Sequence, residues 1–210
     1  MKLDLIETAR LDLAENLTTN RVLHLTATDD PHWRGVVTLA PSNLYAVPPR
    51  SRHDVYVLRG SVEAGSDLLD QGEFVSLCEA GVLRAGSEGV RLFIYRETAP
   101  VHCETITQHA NDREWYAGQN PRMRVAPLSS RGHRLTLVAW EPDTHTRDHG
   151  HQNGEEILVL SGELRSHDQR YPAGTWIRLH PGARDEPFTE IPTVIMLRNG
   201  HLEGARITGA

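Results

Sequence analysis

The stretch RDHGHQNGEEILVLSGE, residues 147–163, sets two imidazoles one residue apart and a pair of carboxylates just beyond them. In an extended chain, side chains at i and i+2 leave the same face, so His149 and His151 can point at one spot. Neutral imidazoles at that spacing are a donor pair for Zn²⁺, Fe²⁺, Ni²⁺ or Cu²⁺. Gln152-Asn153-Gly154 reads as a turn, and Glu155 then opens an apolar run with its carboxylate directed back toward the histidines. Glu156 occupies the opposite face of that strand. With one glutamate at the interior, the other is expected outside. A glutamate buried alone at the mouth of an apolar strand is costly, and a metal ion removes that cost. The competing reading is a solvated polar loop feeding an ordinary strand. An isolated HxH is usually that. Here the glutamate, the apolar strand and Gly162 together favour a site.

Short strands must position these groups. Runs with β character recur between turn signals: VLHLT (22–26), VYVLRG (55–60), GVRLFIYRE (89–97), RLTLVAW (134–140), EILVLSGE (156–163), TWIRL (175–179) and TVIMLR (193–198). Such spacing describes an all-β sandwich or barrel. Only the first seventeen residues allow a helix, through Leu3, Leu5, Ile6, Ala9, Leu13 and Leu17, and an extended arm fits them as well. The runs also repeat. HDVYVLRGSV (53–62) parallels EEILVLSGEL (155–164), and each is followed by a Gly-led strand, DQGEFVSL (70–77) and PAGTWIRL (172–179). Gly60 to Gly72 has the same spacing as Gly162 to Gly174, which indicates an internal duplication. The expected organisation is an N-terminal arm (1–17), a first β-domain (18–97), a linker (98–110), a second β-domain (111–203) and a tail (204–210).

The chain has 210 residues and a formal net charge of −6, with 12 histidines and two cysteines. A negative chain without a clustered basic stripe argues against nucleic acid as a partner. No segment approaches the roughly 20 apolar residues of a membrane span, and no apolar leader is visible at the N-terminus. Cys78 and Cys103 have no paired spacing, so neither a disulfide framework nor secretion is expected, and a cytoplasmic setting is the default. Cys78 reads as a small buried hydrophobe. Cys103 beside His102 is a weak candidate for a redox-sensitive thiol. Trp33, Trp115, Trp140 and Trp176 read as core aromatics. His145 and Arg147 share parity with His149, which could place them at the mouth of the second domain.

His149, His151, Glu155 and Gly162 fit the first motif of the cupin superfamily, His-x-His, three or four residues, Glu, six residues, Gly. The longer phrase GEEILVLSGEL…YPAGTWIRLHPG resembles the ChrR-like cupin subgroup, which includes the zinc-binding C-terminal domain of anti-sigma factors and stand-alone metal cupins. The resemblance covers residues 111–203 well and residues 18–97 loosely, through the repeat. It implies tandem jelly-roll barrels (a bicupin, each barrel a double-stranded β-helix) with the metal in the second. The family's second motif supplies a fourth ligand, usually histidine. The matching position here is Asp185, in RLHPGARDEP (178–187). Asp185 can ligate through oxygen, with His180 or water as the alternatives. The implied metal ligands are therefore His149, His151, Glu155 and Asp185, holding a divalent transition metal: zinc or iron, with nickel or manganese as further options. In the first repeat the matching positions are Val47, Pro49, His53 and Leu83, so that barrel is expected to bind no metal, with Tyr45, Val47, Tyr56 and Val57 as packing residues.

Two functions remain open at this stage. One is a regulatory or binding protein responsive to a small molecule or an oxidant. The other is a metal-dependent enzyme, dioxygenase-like or isomerase-like, acting on a diketone-like or hydroxy-acid substrate. The family's sigma-binding proteins carry a separate zinc domain with a histidine and a CxxC pair. Residues 1–100 hold one cysteine and no such pair, which speaks against sigma-factor binding by that route. A homodimer is expected, with the N-terminal arm as a contact.

Overall fold

The computed structural model describes residues 5–99, 104–129 and 135–202. Among these, the elements are β-strands apart from a 3-10 turn at Ala110–Asp112 and 3-10 conformation at Leu5. The chain forms two compact units. One is Leu13–Arg113, and the other joins Met1–Asp12 to Glu114–Ala210.

The first unit is built on an eight-stranded antiparallel sheet. Its main path runs Arg21–His24, Trp33–Leu39, Gly81–Thr98, Ser51–Ala64, Phe74–Leu77 and Ile106–Gln108. Leu44–Val47 pairs with the long Gly81–Thr98 strand, and Asp67–Asp70 with Ser51–Ala64. Ile106–Gln108, inside the segment expected as a linker, pairs with Phe74–Ser76. Trp33, Val37, Val55, Val57, Leu83 and Ile94 belong to its core. Val47 and Leu83, which match His149 and Asp185 in the repeat, are buried apolar members of that core, and Pro49 is exposed. Cys78 is disulfide-bonded, which corrects the expectation of a small hydrophobe in a chain without disulfides. The other cysteine, Cys103, lies outside the described residues, as does His102.

The second unit has a seven-stranded antiparallel sheet ordered Ile6–Arg10, Thr175–Leu179, Glu155–Ser161, Thr193–Asn199, Leu135–Trp140, Met123–Ser129 and Tyr116–Ala117. A four-stranded sheet runs Thr144–His145, Pro187–Thr189, Glu163–Ser166 and Gln169–Pro172, and a separate ribbon pairs His149–His151 with Ala183–Asp185. The core includes Val138, Trp140, Ile157, Val159, Leu164, Ile177 and Ile195. Ile6–Arg10 is a strand and not a helical turn. It lies along Thr175–Leu179, with Leu5 carbonyl oxygen accepting from His180 N–H at 2.8 Å and Leu11 N–H donating to Gly174 at 2.7 Å. A ready sheet edge satisfies this backbone better than an isolated helix of such length, which is marginal in water.

The duplication is visible in strand register. His53 pairs with Leu77 and Val55 with Val75, as Glu155 pairs with Leu179 and Ile157 with Ile177. Gly60, at a register shift inside the Ser51–Ala64 strand, and Gly162, just past the Glu155–Ser161 strand, have φ 76° and 75°. A Cβ on Gly60 would stand 2.1 Å from Gly89 carbonyl oxygen, and one on Gly162 2.3 Å from that of Pro192. Both the left-handed backbone and the close approach exclude a side chain there. Three of the four tryptophans are buried: Trp33, Trp140 and Trp176. Trp115 is only half-buried, with the Arg124 guanidinium 5.8 Å from its ring centre.

Candidate metal centre

The HGH segment is a short strand, and its register decides what it meets. His149 lies directly opposite Asp185, and His151 opposite Ala183. Two residues of the same parity on one strand and a facing carboxylate on the next therefore converge. The His149 and His151 rings stand 4.8 Å apart, centre to centre. Asp185 Oδ1 lies 2.9 Å from His151 Nε2 and 3.5 Å from His149 Nε2. One donor atom from each of His149, His151 and Asp185 falls within 4.8 Å of the others, the one such cluster found among the described residues.

Each imidazole has its second nitrogen occupied. His149 Nδ1 donates to Arg147 carbonyl oxygen at 2.9 Å, and its Nε2 faces Asp185. His151 Nδ1 faces Glu155 Oε2 at 3.4 Å. Glu155 is placed there by the Gln152–Gly154 turn, closed by Gly154 N–H donating to His151 carbonyl oxygen at 3.3 Å. Glu155 thus adjoins the cluster through the far side of the His151 ring. His151, Glu155 and Asp185 are buried, and the His149 side chain is 46% exposed.

Electrostatics mark the same spot. Burial alone would push the His151 imidazole down, but hydrogen bonds and charge from Asp185 and Glu155 outweigh it and hold its pKa up at about 10. In other words, two carboxylates in a largely dry recess demand a cation, and in the protein by itself a proton on His151 meets that demand. Two imidazoles and buried carboxylate oxygens are also a fitting donor set for a divalent transition metal. A cavity of about 520 Å³ opens beside the cluster, with His149, His151 and Glu155 on one side and Val138, Trp140 and Leu197 among its apolar walls.

The other sequence candidates lie elsewhere. His180, the alternative fourth ligand, is buried, with Nε2 2.7 Å from Glu7 Oε1 on the N-terminal strand. His145 is exposed and stacks on Phe188 at 5.2 Å. Arg147 is exposed and contributes its carbonyl oxygen to His149. Glu156 corrects an expectation. Its side chain does leave the opposite face from Glu155, yet that face is not outside. Glu156 is fully buried, accepting from Arg178 Nε at 2.8 Å and lying 2.7 Å from His201 Nε2. Arg178 and Trp176 share that face, with the guanidinium 5.5 Å from the Trp176 ring centre. Sequence reading missed His201, and it singled out Arg147 for its side chain, not for the carbonyl oxygen that meets His149. Only the known register and turn geometry bring them to these glutamate and histidine side chains.

Residues 103–203 match the ChrR cupin-like domain family. No curated protein sequence matches the chain. Among solved structures it is similar to a candidate dioxygenase from Nostoc punctiforme, at TM-score 0.71 and 13% identity, covering 95% of this chain and 84% of that one. It is also similar to a cupin 2 conserved barrel domain protein from Leptotrichia buccalis, at TM-score 0.68 and 11% identity, covering 94% and 98%. Quercetin 2,3-dioxygenase from Acinetobacter baumannii aligns at TM-score 0.63 and 11% identity, covering 94% and 79%. At these identities the likeness is one of fold. No helix among the described residues is long and apolar enough to cross a membrane.

Proposed function

We propose that this chain, which has the cupin fold and whose residues 103–203 are a ChrR cupin-like domain, is a metal-dependent protein that binds a small molecule or oxidant in a regulatory role. The metal is iron or zinc in this reading, with nickel or manganese as further options, held among His149, His151 and Asp185 with Glu155 adjoining. A bound ion would supply a Lewis-acidic or redox-active centre at one end of the cavity. The protein's own residues do the rest. Arg147 carbonyl oxygen orients His149; Val138, Trp140 and Leu197 give the cavity an apolar wall, and its volume of about 520 Å³ suits a small organic molecule. The observation that carries the proposal is the convergence of three donor atoms, from two histidines and one aspartate, with both histidines also lining that cavity.

A second reading, a dioxygenase-like or isomerase-like enzyme, is favoured by the number of donors. Three protein ligands leave a position open to substrate, as catalytic centres do. Elemental analysis of the purified protein tests the common core of both readings. The expected result is one metal per chain in the wild type, loss in His151→Ala and Asp185→Ala, and retention in His180→Ala. Absence of stoichiometric metal from the wild type would end the proposal. Oxygen uptake by the iron-loaded protein with β-diketones and hydroxy acids then separates the readings, since turnover identifies the enzyme and saturable binding without turnover the regulator.

A further inference from the structure

We infer that Glu155 is not a metal ligand but the positioning residue of His151, so that this chain offers a two-histidine, one-carboxylate donor set. The inference rests on the metal-binding reading above and departs from the first-motif pattern, in which the glutamate would be counted among the donors. It follows from which ring nitrogen faces which oxygen. His151 Nε2 points at Asp185 Oδ1, 2.9 Å away, and Nδ1 points at Glu155 Oε2, 3.4 Å away. The two nitrogens of one imidazole diverge, so a carboxylate on Nδ1 lies across the ring from an ion on Nε2. His149 repeats the arrangement, with Nδ1 donating to Arg147 carbonyl oxygen at 2.9 Å and Nε2 in the cluster.

Each histidine therefore has one nitrogen committed to an oxygen acceptor and one offered to the cluster. Outer hydrogen bonds of this kind fix the tautomer and orientation of a metal-binding imidazole and raise its basicity. For His149 the acceptor is a backbone carbonyl, and for His151 it is a carboxylate. Asp185, opposite His149 in register, is then the one carboxylate among the donors. The chemical consequence concerns both the metal and its ligand. Two imidazoles and one carboxylate leave several coordination positions open, the pattern suited to ferrous iron with an oxygen-donor ligand. A small molecule with two adjacent oxygens, such as a hydroxy acid or a diketone in its enolate form, is the class that fills neighbouring open positions at once. His149 and His151 line the cavity together with Val138, Trp140 and Leu197, which would face the apolar part of such a molecule.

Co²⁺ titration of the full chain, followed by visible absorption and competition with a chelator, tests this against a four-ligand site. Glu155→Gln keeps an oxygen that accepts from His151 Nδ1–H but removes the anionic donor. It is expected to bind one Co²⁺ within about tenfold of wild-type affinity and with the wild-type spectrum. Glu155→Ala, which removes the acceptor, should weaken binding by about 10- to 100-fold without changing the number of protein donors. Asp185→Asn should lose more than about 100-fold and shift the bands. Loss of Co²⁺ in Glu155→Gln matching that in Asp185→Asn, or a shifted spectrum in Glu155→Gln, would overturn the inference and leave the metal site standing. A wild type that binds no Co²⁺ would overturn both.

Discussion

His53 stands where the second unit has Glu155, and its surroundings make the first unit acid-labile. The side chain is fully buried. Ser51 Oγ donates to Pro48 carbonyl oxygen at 2.7 Å, so the same oxygen is placed to accept from His53 Nδ1–H at 3.3 Å. That assignment leaves Nε2 as a lone pair with no partner, and protonation would put an unpaired N–H⁺ in the core. Burial, with the Arg96 guanidinium reinforcing it and Asp54 opposing, lowers the imidazole from 6.5 to about 4. The Tyr45 ring edge, 6.1 Å away, completes the surroundings. Between pH 6.5 and 4 the unfolded chain therefore binds a proton that the folded chain refuses. The contribution to stability is fully present above pH 6.5 and is lost as pH falls toward 4. A drop from 6.5 to about 4 corresponds to about 3 kcal/mol. Amide-exchange protection at Val55 and Val57, on the His53 strand, is the assay. It should fall by that amount more in the wild type than in His53→Met over this pH range. Equal losses in the two proteins, or an imidazole NMR titration of His53 near 6.5, would refute the reasoning.

Two further outcomes concern the frame that holds the units. Gly65 and Gly60 both have positive φ, but a Cβ meets nothing within 4 Å at Gly65 and a carbonyl oxygen at 2.1 Å at Gly60. In urea unfolding, Gly65→Ala should cost about 1 kcal/mol for the backbone alone, and Gly60→Ala about 3 kcal/mol once the clash is added. Glu156→Ala strips the carboxylate from buried Arg178 and His201. It should destabilise the second unit by about 3–5 kcal/mol, measured by thermal or urea unfolding of the metal-free protein.

The strand pattern was legible because apolar runs and positive-φ glycines are local signals. TWIRL is the strand Thr175–Leu179, and the offset that aligns Gly60 with Gly162 also aligns Leu77 with Leu179 in register. The meeting of His149 and His151 was legible for the same reason, since i and i+2 is a property of one strand. What could not be read was long-range or two-sided. Parity separated Glu155 from Glu156, but parity says nothing of what covers each face, and here both faces bury their glutamate. The ribbon that sets Asp185 against His149 is three residues long on each side, too short for an alternation pattern. The N-terminal strand IETAR has little strand character of its own and acquires it from the edge it joins.

That last feature has a consequence for how the protein is made. Thr8 pairs with Ile177, so one edge of the second unit's sheet is synthesised long before the strand it covers. At ordinary elongation rates the early strand waits on the order of ten seconds for its partner. During that interval an exposed stretch of backbone donors and acceptors must avoid other chains. Glu7 and Arg10 place opposite charges within this short stretch, which discourages pairing with an apolar strand of another nascent chain. After synthesis, Glu7 meets His180 and Arg10 meets the carbonyl oxygens of Pro172 and Ala173. The same two side chains thus guard the strand while it waits and fasten it once its partner arrives.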